Sequence, residues 1–288
     1  MSLTARGMAV MGAAAIAAAA ALAVTAPAGA SAGRPVRPGV SPGSGALAAH
    51  ALHLRAMPAG TVTFGRSRGR LTVRAAMFGL TAGSSHAVSL QMPGRVPAIR
   101  FTTLTANGVG QANVILNSGF AGRLAIGSRL VVRMGTGPGR VAREPIAVTA
   151  PLRRPAAGPH RLTAVEVSRS GRSYGTPRGQ ATISYSGRRH TLTVTVTASG
   201  VTPGPHAAHI HLGSCQRQGP VLYMLRDLVA GRHGRIVHAV RVFTNVTAPI
   251  PARGWYLNIH QGNSGDILSN GQPTIFFRPL LCSNIRGR

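Results

Sequence analysis

Three histidines in the C-terminal half of the chain have the residue type and spacing of a metal site. His209 and His211 lie two residues apart in the segment 205–212, which reads as an extended strand, and residues two apart on a strand point to the same face. His260 ends a second candidate strand and can supply a third imidazole nitrogen. Three imidazoles without a thiolate suit copper or zinc, and the affinity order of divalent first-row ions favours Cu²⁺. The pattern therefore predicts one copper ion bound by these three histidines.

A plainer explanation of the same residues stays open. The chain has 11 histidines, so one His-x-His segment can also be a solvent-facing strand. His260 weighs against that explanation, because it stands at the end of its own strand and ahead of the second of only two cysteines. His206, three residues before His209, is expected to support the site rather than to bind the ion.

The N-terminus predicts export. Arg6 is followed by an apolar, alanine-rich run over 8–24, and residues 28–30 are small, as at a signal-peptidase site. Residues 1–30 are therefore expected to be a signal peptide, with a secreted or cell-envelope location and no stable membrane span after cleavage. An uncleaved anchor is the alternative, because the run approaches spanning length. Pro27 and the small residues directly after the run favour cleavage.

The two cysteines are expected to form a disulfide. Cys215 and Cys282 are the only cysteines of the chain, and paired cysteines are usual in exported proteins. A bond between them closes a long loop, which the chain-entropy account values at about 4 kcal/mol.

The charge of the chain is strongly one-sided. Its 32 basic residues are all arginine and face only 4 acidic ones, giving a formal net charge of +28. The arginines are dispersed, with no basic block and no interleaved aromatics, so the sequence gives no sign of a specific nucleic-acid surface. We interpret the dispersal as codon bias toward arginine. Such a surface nevertheless attracts anions, and superoxide, other small anions and acidic cell-envelope polymers are the expected partners.

The rest of the chain predicts an all-β fold in two parts. Residues 31–58 are rich in glycine, proline and alanine and are expected to be a linker. Alternating strand patterns with closely spaced turn residues follow over 59–151 and again over 162–288, with a second linker at 152–161. We expect two tandem antiparallel Greek-key sandwiches or barrels.

The two parts also read as repeats. Residues 60–64 match 180–185, and 79–90 match 200–210. His86 then falls on His206, while Ser89 and Gln91 replace His209 and His211. The first copy is therefore expected to be a degenerate domain without metal ligands.

At these motifs the C-terminal half resembles the copper/zinc superoxide dismutase family and its diverged relatives, the CHRD domains, over residues 180–285. The segment 206–211 resembles the family's His-Gly-Phe-His-Val-His strand, whose last two histidines bind copper, and 259–264 resembles the strand end that carries a further copper histidine. Cys215 and Cys282 fall where bacterial members place their disulfide. The segment 256–260 also resembles the Tyr-Val-Asn-Val-His signature of CHRD domains. The resemblance implies a dismutase-like barrel with a copper site.

The sequence departs from the family pattern at several positions, so only some of the family's site residues have a counterpart in this chain. The family's bridging histidine has no counterpart between Cys215 and Gly231, and Met224 stands where a zinc histidine belongs, so zinc is not expected. Asp227 matches the zinc aspartate but reads as an ordinary loop carboxylate. Pro279 occupies the place of the family's active-site arginine, with Arg278 one residue out of register as the candidate for that catalytic role.

Two functions of different classes follow. The first is an exported, copper-only, superoxide dismutase-like protein, an oxidoreductase if it is an enzyme. The alternative is a non-catalytic CHRD-like binding module of the cell surface or medium, and a copper carrier is a third hypothesis. Four acidic residues, none of them paired near a histidine motif, leave no basis for a hydrolytic triad or carboxylate dyad.

Overall fold

A computed structural model describes residues 49–135, 141–149, 151–152, 158–167 and 172–287, all of which belong to one structural unit. The expected signal peptide and the linker residues 31–48 lie outside this part of the chain. Within it, no helix is both long and apolar enough to cross a membrane.

The described residues form strands joined by short turns, with one 3-10 helix at Ile275–Phe277. In chain order the strands are β1 (Ala49–Ala56), β2 (Ala59–Ser67), β3 (Arg70–Phe78), β4 (Ser85–His86), β5 (Val88–Met92), β6 (Arg95–Arg100), β7 (Leu104–Thr105), β8 (Gln111–Asn117), β9 (Arg129–Gly135), β10 (Val141–Thr149), β11 (Pro159–Ala164), β12 (Glu166–Val167), β13 (Ser173–Gly175), β14 (Arg178–Ser186), β15 (Thr191–Ser199), β16 (Gly204–Gly213), β17 (Gln218–Ala230), β18 (Arg235–Phe243), β19 (Trp255–His260), β20 (Leu268–Ser269), β21 (Gln272–Pro273) and β22 (Pro279–Ile285).

Two eight-stranded antiparallel sheets account for most of these strands. The first has the order β6-β5-β9-β10-β11-β2-β3-β8, and the second has the order β17-β16-β19-β22-β1-β14-β15-β18. Each sheet curls around its own apolar core. The prediction of an all-β protein with two antiparallel barrel-like sandwiches is confirmed.

Side-chain alternation explains why each sheet curls around a core. In β15 the residues Leu192, Val194 and Val196 are fully buried, and threonines alternate with them at less buried positions. Alternate residues of a strand point to opposite faces, so one face of β15 enters the core and the other faces outward. The β-branched threonines and valines also favour the extended backbone.

The first strand of each repeat lies in the sheet of the other repeat. β1 precedes the first copy but pairs with β14 and β22 of the second sheet. β11 precedes the second copy but pairs with β2 and β10 of the first sheet. The two repeats thus exchange their first strands. After this strand exchange the two sheets have the same order of equivalent strands, and β2, β3, β5 and β9 correspond to β14, β15, β16 and β19.

The exchange corrects the expected boundaries. Residues 49–56 were expected in a linker but form β1, whose Leu52 and Leu54 enter the second core. Residues 159–161 were expected in a linker and 162–164 in the second domain, yet β11 completes the first sheet. The cause in β1 is the alternation of apolar and polar residues, which outweighs the linker-like composition of the residues around it.

Candidate metal centre

The three histidines lie on two neighbouring strands of the second sheet. β16 pairs with β19 so that His209 faces Asn258 and His211 faces Tyr256. Ile210, Leu257 and Ile259 alternate with these residues and point into the second core. The histidines are thereby held on the outer face of the sheet, with His260 at the end of β19.

The structure brings the predicted ligand residues together. One ring nitrogen of each histidine lies within 4.8 Å of the corresponding nitrogens of the other two. His209 Nδ1 lies 3.3 Å from His260 Nε2. All three side chains are nearly inaccessible, with exposed fractions of 3% for His209, 4% for His211 and 0% for His260.

Hydrogen bonds fix which ring nitrogens can bind an ion. His211 Nδ1 donates to the Gly219 carbonyl at 3.0 Å, so its Nε2 carries the lone pair. That Nε2 is buried and has no hydrogen-bond partner among the described residues. His260 Nδ1 likewise donates to the Phe277 carbonyl at 2.6 Å, which leaves its Nε2 as an acceptor. Metal-binding histidines are oriented in this way by a bond from the other ring nitrogen.

Burial keeps the three imidazoles neutral. It lowers the pKa of His209 to about 4 and that of His260 to about 3, and it lowers the pKa of His211 below the ordinary value. Neutral imidazole is the form that binds metals. An unpartnered buried nitrogen and three neutral rings on a common face fit a cation.

His206 holds the strand ends beside the centre. Its Nδ1 lies 3.0 Å from the His260 carbonyl oxygen, and its Nε2 lies 2.7 Å from the Thr202 carbonyl oxygen. The ring is therefore occupied with the backbone on both sides. These contacts hold the ring of His206 against the backbone beside His260, and its support of a metal site stays a prediction.

The predicted disulfide joins Cys215 to Cys282 and lies next to the centre. Both cysteines pack with Tyr256 and Met57. The Tyr256 ring stacks on the His211 ring at 4.8 Å, and its hydroxyl oxygen accepts from the Gly219 amide at 3.3 Å. Burial raises the pKa of Tyr256 to about 12, so the hydroxyl keeps its proton. Tyr256 thus connects the disulfide to His211.

Arg278 does not have a free guanidinium to offer an incoming anion. Its Nη2 pairs with Glu166 Oε2 at 2.6 Å, and the two side chains are 4% and 0% exposed. Gln261 bonds to both members, accepting from Arg278 Nε and donating to Glu166 Oε1. The guanidinium of Arg278 is therefore engaged in a buried ion pair, and the catalytic role expected for Arg278 stays a prediction.

The residues at and just beyond the position of the family's zinc loop lie on strands β17 and β18 here. Met224 is an exposed residue of β17, and His238 is an exposed residue of β18. Asp227 Oδ1 accepts from the Ser264 amide and hydroxyl at 2.9 and 2.6 Å. Asp227 lies on β17 rather than in a loop, and a backbone amide satisfies its carboxylate, as the sequence predicts.

The sequence patterns did not identify two residues that lie at or near the centre. Asn258, 1% exposed, lies beside His260, and Glu166 pairs with an arginine 112 positions away. The Asn in the Tyr-Leu-Asn-Ile-His segment was a signal for the first. No local pattern points to the second.

Comparison with known families agrees with part of the resemblance seen in the sequence. Residues 161–266 match the family model described as the CHRD domain. The chain carries a CHRD-type domain. No curated protein is significantly similar to the chain. The match runs from β11 to the loop after His260, so it includes all three histidines and one strand that lies in the first sheet.

Proposed function

We propose that the protein is an exported, CHRD-type binding module that holds one copper ion through His209, His211 and His260. The observation that carries this proposal is the buried His211 Nε2, which has no partner among the described residues. A buried polar atom without a partner is costly. A cation among the three rings would satisfy this nitrogen and take up the lone pair of His260 Nε2.

The donor set favours copper over the other common ions. The three candidate donors are imidazole nitrogens, and both cysteines are bonded to each other, so no thiolate is available. Imidazole suits copper and zinc, and copper stands highest in the affinity order. When bound, copper supplies a cation that can change its oxidation state.

The surroundings favour binding over turnover. Superoxide would have to reach the ion, yet the three side chains are at most 4% exposed. Arg278, the cation that would attract the anion, is paired with Glu166 instead. Dismutation stays the second candidate, because the grouping of three neutral histidines is also what a copper-only dismutase would need.

Two features support an extracytoplasmic location for this binding module. The disulfide favours an oxidising compartment. The net charge of +28 would hold such a protein near acidic cell-envelope polymers.

Copper titration of the full chain tests the proposal. We expect one Cu²⁺ per chain for the wild type and for the control His238→Ala, whose ring is exposed on β18, and none for His260→Ala. Equal stoichiometry in all three proteins would exclude the centre. A superoxide-decay assay separates the two candidates: the module predicts no acceleration beyond chelator-controlled copper. Acceleration that disappears in His260→Ala would favour the dismutase.

A further inference from the structure

Among the described residues of the centre, Asn258 is the polar side chain whose oxygen has no hydrogen-bond partner. It lies on β19, 1% exposed, and is paired with His209 on one side and Cys282 on the other. Its Oδ1 has no hydrogen-bond partner among the described residues. A buried amide oxygen of this kind is rare and calls for a ligand, water or ion.

The amide of Asn258 is already directed at a ligand nitrogen. Asn258 Nδ2 lies 3.4 Å from His260 Nε2, the nitrogen that also lies 3.3 Å from His209 Nδ1. Because His260 Nδ1 donates to Phe277, this Nε2 has only its lone pair to offer. The Asn258 amide and the His209 ring therefore converge on the atom that a cation would bind.

A cation at His260 Nε2 would remove the acceptor of the Asn258 Nδ2 group. The terminal torsion of asparagine is broad and roughly two-fold, so a half-turn of the amide exchanges the places of Nδ2 and Oδ1. That half-turn places the unpartnered oxygen toward the cation. It also removes the N–H group that would otherwise face a positive charge.

We propose that Asn258 Oδ1 is the fourth protein ligand of the copper centre, which makes the donor set three nitrogens and one oxygen; this rests on the proposed function. Carbonyl oxygen is a harder donor than imidazole, and soft sulfur donors are the ones that select Cu⁺. Asn258 thus selects the oxidised ion, and the centre holds Cu²⁺ more firmly than it would with three histidines alone.

The test compares Asn258→Leu and Asn258→Asp with the wild type as full chains. Each is titrated with cupric chloride against a competing chelator and, separately, with Cu⁺ under anaerobic conditions. We expect Asn258→Leu to weaken Cu²⁺ binding at least as much as the loss of an outer-shell partner of a metal ligand does, about 10- to 100-fold, and to change the Cu²⁺ electron paramagnetic resonance spectrum. Its Cu⁺ affinity should stay close to that of the wild type. Asn117→Leu, an exposed position on β8, should behave as the wild type.

Each outcome separates this inference from the proposed function. A wild type that binds no copper overturns both. Copper binding by the wild type with an unchanged Cu²⁺ affinity and spectrum in Asn258→Leu overturns only the role of Asn258, as does an equal loss of Cu⁺ and Cu²⁺ affinity. If Asn258→Leu does not fold, Asn258→Asp decides: its anionic oxygen should tighten Cu²⁺ binding, and an unchanged affinity refutes the ligand.

Discussion

Removing Glu166 should destabilise the protein far more than removing any exposed carboxylate. Glu166 and Arg278 form an ion pair at 2.6 Å whose side chains are 0% and 4% exposed. Glu166→Ala would leave the guanidinium buried with Gln261 as its remaining side-chain partner. The pair also lies next to the candidate metal centre, because Arg278 follows Phe277, whose carbonyl accepts a hydrogen bond from His260 Nδ1.

The size of the effect follows from this burial. Breaking a buried ion pair by removing one member costs about 3–5 kcal/mol, because the other charge stays uncompensated. Replacing both members by apolar groups costs much less, since no charge is then buried. Glu166→Ala should therefore lower the free energy of unfolding by about 3–5 kcal/mol, and adding Arg278→Met should recover part of that loss.

Urea denaturation followed by circular dichroism measures the free energies of unfolding of the wild type, Glu166→Ala, Arg278→Met and the double variant. Asp266→Ala is the control, because this carboxylate is exposed and should change the free energy of unfolding by about 0.5 kcal/mol or less. A decrease in the free energy of unfolding for Glu166→Ala as small as that for Asp266→Ala would refute the stabilising role of the buried ion pair. So would a double variant whose loss equals the sum of the two single losses.

Two further predictions concern the exchanged strand and a buried histidine of the first sheet. Leu54→Asp places a charge in the second core, so amide hydrogen exchange should become faster in β14 and β22. The exposed control His53→Asp should leave both strands protected. Faster amide hydrogen exchange confined to β2 and β10 would contradict the placement of β1 in the second sheet. Burial lowers the pKa of His86 from 6.5 to about 4, so its stabilising contribution is complete above pH 6.5 and is lost as the pH falls toward 4. Between pH 7 and 4.5, His86→Gln should therefore lose about 2–3 kcal/mol less free energy of unfolding than the wild type; equal losses in urea titrations at the two pH values would refute this.

Local patterns were sufficient for the fold class, the histidine group and the disulfide. His209 and His211 share a face because of strand periodicity, and His260 and both cysteines were found through their order along the chain. Alternation identifies a strand but does not identify its partner, so the exchange of β1 and β11 was not predictable from the sequence. The same limit applies to Glu166, whose partner Arg278 is 112 positions away.

The coordination of Cu²⁺ in the full chain is the most direct test of the central claim. Pulsed electron paramagnetic resonance of the protein loaded with one Cu²⁺ per chain should show coupling to imidazole nitrogens. That coupling should weaken in each of His209→Gln, His211→Gln and His260→Gln, and it should persist in His238→Ala. A copper signal that is the same in all four variants, or a wild type that takes up no copper, would contradict the account.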